Sequence, residues 1–142
     1  MLVSQRLVDL IERNADELAK RWLRDVQKHK GTPTYHSYNP TLLHQRAYSV
    51  YSQLGKWLSK DTTREEIAKY YLALGSKRRK EGFALSELVQ ALIITRRHVW
   101  LKVLEDGFLN TALDMHQALD LENHVVLFFD RAIYFAVHGY ED

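Results

Sequence analysis

Apolar residues return every three or four positions along nearly the whole chain, and no stretch alternates with period two for long enough to make a strand. Only two prolines and six glycines interrupt 142 residues, so the pattern demands helices packed along apolar stripes. The first stripe is Leu7, Ile11, Ala15, Leu18, Trp22 and Val26, on a helix running from an N-cap at Ser4 to about Lys30, where Gly31, Thr32 and Pro33 stop it. Asn39-Pro40 opens a second helix, with Leu43, Ala47, Val50, Tyr51, Leu54 and Leu58 on its apolar face. Thr63 and Glu66 make a capping-box pattern before Ile67, Tyr70, Tyr71 and Leu74, the stripe of a third helix. A basic, glycine-bounded stretch from Gly75 to Gly82 leads to a long fourth helix, Leu85 to about Gly107. The last helix carries Leu121, Val125, Phe128, Phe129, Ala132, Ile133, Ala136 and Val137 over so wide an arc that it expects burial on more than one side. The expected fold is all-α, one domain over 1–142, as a four- to five-helix bundle or a globin-like packing, which pattern alone does not separate.

Composition narrows the chemistry. No cysteine is present, which removes disulfides, thiolate metal sites, iron–sulfur ligation and cysteine nucleophiles. The longest apolar run, Val125 to Phe129, is far shorter than the roughly 20 residues a membrane span needs, and the N-terminus has no signal-peptide core. The expected location is the cytoplasm. The net charge of +2 hides a segregation: residues 1–74 carry 12 basic and 8 acidic side chains, 75–104 carry 7 and 2, and 105–142 carry 1 and 8. Basic centre and acidic end are therefore expected to face each other, within one chain or across a dimer.

No nucleophile elbow, phosphate-binding glycine loop, dinucleotide turn, zinc-protease helix or di-iron signature occurs, so no enzyme class is indicated. Seven histidines keep cofactors in view. His116, Asp120 and His124 fall at i, i+4 and i+8 and would share a face able to meet a divalent metal, provided the last helix starts early enough; Asp120 as an N-cap would splay them. His98 could serve as an axial haem ligand, although its flanking arginines place it at a polar boundary, where a histidine satisfied by a carboxylate or carbonyl is the commoner outcome. Lys77-Arg78-Arg79-Lys80 invites phosphate, but no recognition-helix motif accompanies it, and nucleic-acid binding ranks below a solvated, internally paired turn. Trp22, Trp57, Trp100 and the eight tyrosines could line a small-molecule pocket, with Trp22 and Trp100 better read as core.

The junction of the third and fourth helices carries Gly75-x-x-Arg78-Arg79-x-x-Gly82-Phe-Ala-Leu85-x-x-Leu88, with Arg96-Arg97 further on. Together with Ile11-Glu12-Arg13 and Arg21-Trp22-Leu23 in the opening helix, it resembles the N-terminal sensory domain of RsbR and RsbRD stressosome proteins. That module is similar to the input domain of some sensor histidine kinases. The resemblance implies a cytoplasmic, globin-like helical domain that usually lacks haem, dimerises, and passes a signal to a kinase or STAS-type output. Its motif positions here are Trp22, Arg78, Gly82, Leu85, Leu88 and Arg96, with architectural roles: Gly82 for backbone freedom, the leucines as anchors, the arginines as partners of the acidic last segment. Ala84 departs from the family's Ser-like helix cap, and no output region follows Asp142 in this sequence. The chain therefore reads as a non-catalytic input domain whose last helix forms a homodimer surface; a haem- or metal-binding helical protein is the alternative.

Overall fold

The computed structural model describes residues 4–142. Seven α-helices make up the described residues: α1 (Gln5–Arg13), α2 (Ala15–Lys28), α3 (Pro40–Ser52), α4 (Leu54–Leu58), α5 (Arg64–Lys80), α6 (Leu85–Asp106) and α7 (Ala112–Glu141). One 3-10 turn, Pro33–His36, follows α2. The fold is all-α, with more helices than the four or five expected.

The extra helices come from two breaks. At Asn14 (φ −105°, ψ 19°) the side-chain amide turns back to donate to the Leu10 carbonyl at 2.7 Å, which separates α1 from α2. Asn competes with helix in this way because its short amide bonds nearby backbone. Gln53 (φ −118°, ψ 22°) makes the second break, before α4. Neither Pro nor Gly marks either site, so the apolar spacing runs straight through both.

Helix starts follow local chemistry. Ser4, Asn39 and Thr63 each accept a hydrogen bond from a backbone N–H three residues on, at 3.4, 3.2 and 3.1 Å. The last helix starts eight residues before Asp120. Thr111 Oγ1 accepts from Asp114 N–H at 3.0 Å while Asp114 Oδ2 accepts from Thr111 N–H at 3.2 Å, a full capping box, and Asp120 lies inside the helix. The reading of Asp120 as an N-cap is corrected accordingly. Lys77 to Lys80 are likewise no turn. They form the final turn of α5, where four cations meet the negative end of the helix dipole.

A continuous apolar core joins all seven helices, and α5 against α7 is the most extensive contact. Two glycines set its spacing. A Cβ on Gly75 would lie 2.0 Å from the Ala136 carbonyl oxygen, and one on Gly139 would lie 2.0 Å from the Leu72 carbonyl oxygen. Any larger residue would force the backbones apart. The final helix buries one side only, through Leu121, Val125, Phe128, Phe129, Ala132 and Ala136, and leaves Leu119, Leu127 and Tyr134 exposed on the other.

Charge segregation resolves within the chain: Arg96 and Lys102 of the basic centre pair with the acidic end as expected, while Arg78 does not. The acidic last segment meets Arg6 through Asp114 (3.7 Å), Arg21 through Glu105 (3.0 Å), Arg96 through Asp130 (3.9 Å) and Lys102 through Asp106 (2.6 Å). Arg78 turns instead to Glu81 at 3.2 Å, and Arg79 donates to the Tyr140 carbonyl at 3.1 Å. Among the described residues, no helix is long and apolar enough to cross a membrane.

Candidate functional site

Helices α3, α4 and α5 border an open cleft of about 700 Å³. The size suits a small organic ligand. Trp57 of α4 and Tyr70 of α5 meet at 5.0 Å between ring centroids to form its aromatic wall. Behind them Tyr71 and Phe128 hold Trp57 in place, at 5.7 and 5.5 Å. Trp57 is buried while Tyr70 is exposed, so the wall is fixed at its base and open at its edge.

The rest of the lining is mostly cationic. Lys56, Lys69, Lys77, Arg46 and Arg78 all contribute, against one lining carboxylate, Glu66. Lys69, Tyr70, Ala73 and Lys77 reach the cleft from one face of α5 because they follow at spacings of one, three and four. Lys56 Nζ also sits 5.7 Å from the Trp57 ring centroid.

At the inner end, Glu81 ties two arginines together. Arg46 donates through Nη1 to Oε1 at 3.0 Å and through Nη2 to Oε2 at 2.5 Å, while Arg78 Nη1 reaches Oε1 at 3.2 Å. Burial pushes the Glu81 carboxyl up, but the hydrogen bond from Arg46 and the charges of both arginines outweigh it, leaving it below the ordinary value. Arg78 is only 9% exposed. Its burial, reinforced by nearby Arg46, pulls the guanidinium below its ordinary range against the pull of Glu81. One carboxylate serves two guanidiniums, so the group keeps a net positive charge in a half-sheltered place.

The turn after Glu81 carries the motif residues. Gly82 adopts φ +94°, the left-handed region that glycine enters without strain. Phe83, which pattern reading passed over, is fully buried and packs on Tyr35 and Tyr38 at 4.4 and 4.8 Å. Its carbonyl accepts from Tyr140 Oη at 2.8 Å, so the end of α7 is fastened to this turn. Leu88 is buried and Leu85 half-buried. Ala84 caps α6 with no side-chain hydrogen bond.

The remaining candidates lie apart from the cleft. Trp22 is core, donating Nε1–H to the Ala91 carbonyl at 3.1 Å. Trp100 packs half-buried against the core. His98 is buried rather than at a boundary; its Nε2 lies 2.5 Å from Asp25 Oδ2, and it does not line the cleft. His124 Nδ1 lies 2.8 Å from the Asp120 carbonyl, and among the described residues no three His, Asp or Glu side chains gather to hold a metal. The structure thus places His116, Asp120 and His124 on one helix without bringing them together as a ligand set.

The model of the RsbT co-antagonist protein RsbRD N-terminal domain matches residues 16–142. The chain belongs to this family. Its match takes in the cleft, the Arg46–Glu81–Arg78 group and the whole of α7. It identifies the chain as a regulatory input domain of the stressosome type. No curated relative and no solved structure matches the chain.

Proposed function

We propose that this RsbRD N-terminal domain is a non-catalytic sensor that works as a homodimer and hands its signal to a kinase or STAS-type output partner. The observation that carries the reading is the family match over nearly the whole chain. The apolar surface supports the dimer: Leu113, Met115, Leu119, Leu127 and Tyr134 on α7 are exposed, and Leu101, Leu104 and Phe108 are exposed at the end of α6 and just beyond it. Phe108 is 75% exposed and holds φ +52°, a conformation that costs a bulky residue about 1 kcal/mol or more. An exposed aromatic kept in a strained backbone suits a docking surface.

Signalling needs a ligand or partner that binds two helix packings unequally, since equal affinity moves no equilibrium. The fastening of Tyr140 to Phe83 and Arg79 supplies a physical link between the α5–α6 turn and the end of α7. Light scattering at micromolar concentration should give the dimer mass, and Leu119→Lys with Leu127→Lys should give a monomer; a monomeric parent protein overturns the dimer. Deleting the chain should remove the stress response of its output partner and spare the partner's basal activity. An unchanged response overturns the sensory reading.

A further inference from the structure

We infer that the cleft between α3, α4 and α5 binds a small organic anion with a flat aromatic body. Three properties of the cleft converge on that ligand. Tyr70 offers an exposed ring, and the largely buried Trp57 reaches the cleft beside it, which suits an aromatic partner. Lys56, Lys69 and Lys77 carry three positive charges that, among the described residues, no carboxylate pairs within salt-bridge distance. The buried Arg78 lies at the inner end, where Glu81 engages one of its nitrogens and shares itself with Arg46.

Charge and shape together select the class. A purely apolar ligand would leave the lysines facing an uncharged surface and gain nothing from Arg78. A free inorganic anion would leave the aromatic wall wet. A concavity of about 700 Å³ bounded by three helices holds a small molecule, whereas nucleic acid is served by an extended basic track. The acidic group is placed toward Arg78 and Lys77 and the ring system against Trp57 and Tyr70.

The inference names the kind of signal that the sensory reading calls for, while binding itself can be measured without any output partner. The probe is anilinonaphthalene sulfonate, compared with phenylnaphthylamine, which has the same rings and no sulfonate. The sulfonate dye should bind one site with at least about tenfold higher affinity than the neutral dye, and added salt should weaken it. Lys69→Glu with Lys77→Glu should weaken the sulfonate dye by about tenfold and leave the neutral dye and the circular dichroism unchanged. Tyr70→Ala should weaken both dyes. Equal affinity for the two dyes, or sulfonate binding that survives the double charge reversal, overturns the inference. Displacement of the dye by a single-stranded oligonucleotide at physiological salt overturns it in favour of nucleic acid. A failure of dye binding with a dimer still seen by light scattering would strike this inference alone.

Discussion

Helix α5 has two working faces that solve opposite problems. Toward α7 it presents Gly75 and Leu72, which let two backbones meet with no room for a single added carbon. Toward α3 and α4 it presents Lys69, Tyr70 and Lys77, long side chains around open space. The first face is specified by what is missing from the side chains, the second by what they carry. Close packing tolerates almost no change, whereas a charged, solvated wall tolerates most changes in stability while depending on them for binding. The same helix therefore serves as a fixed rail and as one side of a cleft.

The hardest blow to this arrangement is Gly75→Ala. Urea unfolding should show a loss of about 3 kcal/mol or more, because overpacking here moves backbone against backbone. Gly139→Ala should cost a similar amount, and the double substitution less than the sum, since both force the same helix apart. A loss below about 1 kcal/mol would show that the helices can slide, and the contrast between the faces would be wrong.

Glu81→Gln comes next, at about 2 kcal/mol, because it leaves two arginines without their shared carboxylate. Its pH signature is specific. The carboxyl is held below the ordinary glutamate value of 4.5, so its contribution is fully present above that value and is lost as pH falls through the lower folded-state value. Stability of the parent protein should drop on acidification below about pH 4.5, and Glu81→Gln should flatten that part of the curve. Identical acid profiles would remove the arginine pair from the energetics of the cleft.

Tyr71 sharpens the comparison from the packed side. It is fully buried, its hydroxyl has no hydrogen-bond partner among the described residues, and burial pushes that hydroxyl far above its ordinary pKa. Tyr71→Phe should stabilise the protein by about 1 kcal/mol, seen as a higher denaturant midpoint at constant slope. Tyr51 gives the opposite sign, since its hydroxyl donates to the Thr95 carbonyl at 3.0 Å and Tyr51→Phe should destabilise by about 1 kcal/mol. The smallest effect belongs to the open face: Lys69→Ala should shift stability by less than about 0.5 kcal/mol. A larger loss would make the cleft wall structural.

The sequence made the helical class and most helix starts readable, because Ser4, Asn39 and Thr63 act locally and apolar spacing reports the buried stripe. The breaks at Asn14 and Gln53 were hidden, since both residues sit within an unbroken apolar rhythm and act through backbone bonds. The start of α7 was visible in principle: Thr111 and Asp114 have capping spacing, but Asp120 lies closer to the apolar run and drew attention from them. The cleft was half legible. Trp57 and Arg78 were singled out, yet Arg46, Lys69 and Glu81 come together only through tertiary packing, and nothing in their local spacing joins positions 46 and 81. Segment charge was a partial guide for the same reason: Arg96 and Lys102 do meet the acidic end, while geometry gave Arg78 a glutamate three residues away.

Helix α4 is five residues long, too short to persist unaided. Its Gly55 N–H is satisfied by Glu12 Oε2 of α1, 3.0 Å away and 43 residues earlier. Local turns elsewhere close through near neighbours, whereas α4 draws on α1 for this bond and is expected to form late in folding. Exchange of the half-buried Gly55 amide with deuterated water should be faster than that of the helical amides in the core. Because Trp57 rides on that helix, the aromatic wall of the cleft inherits α4's dependence on α1 for its place.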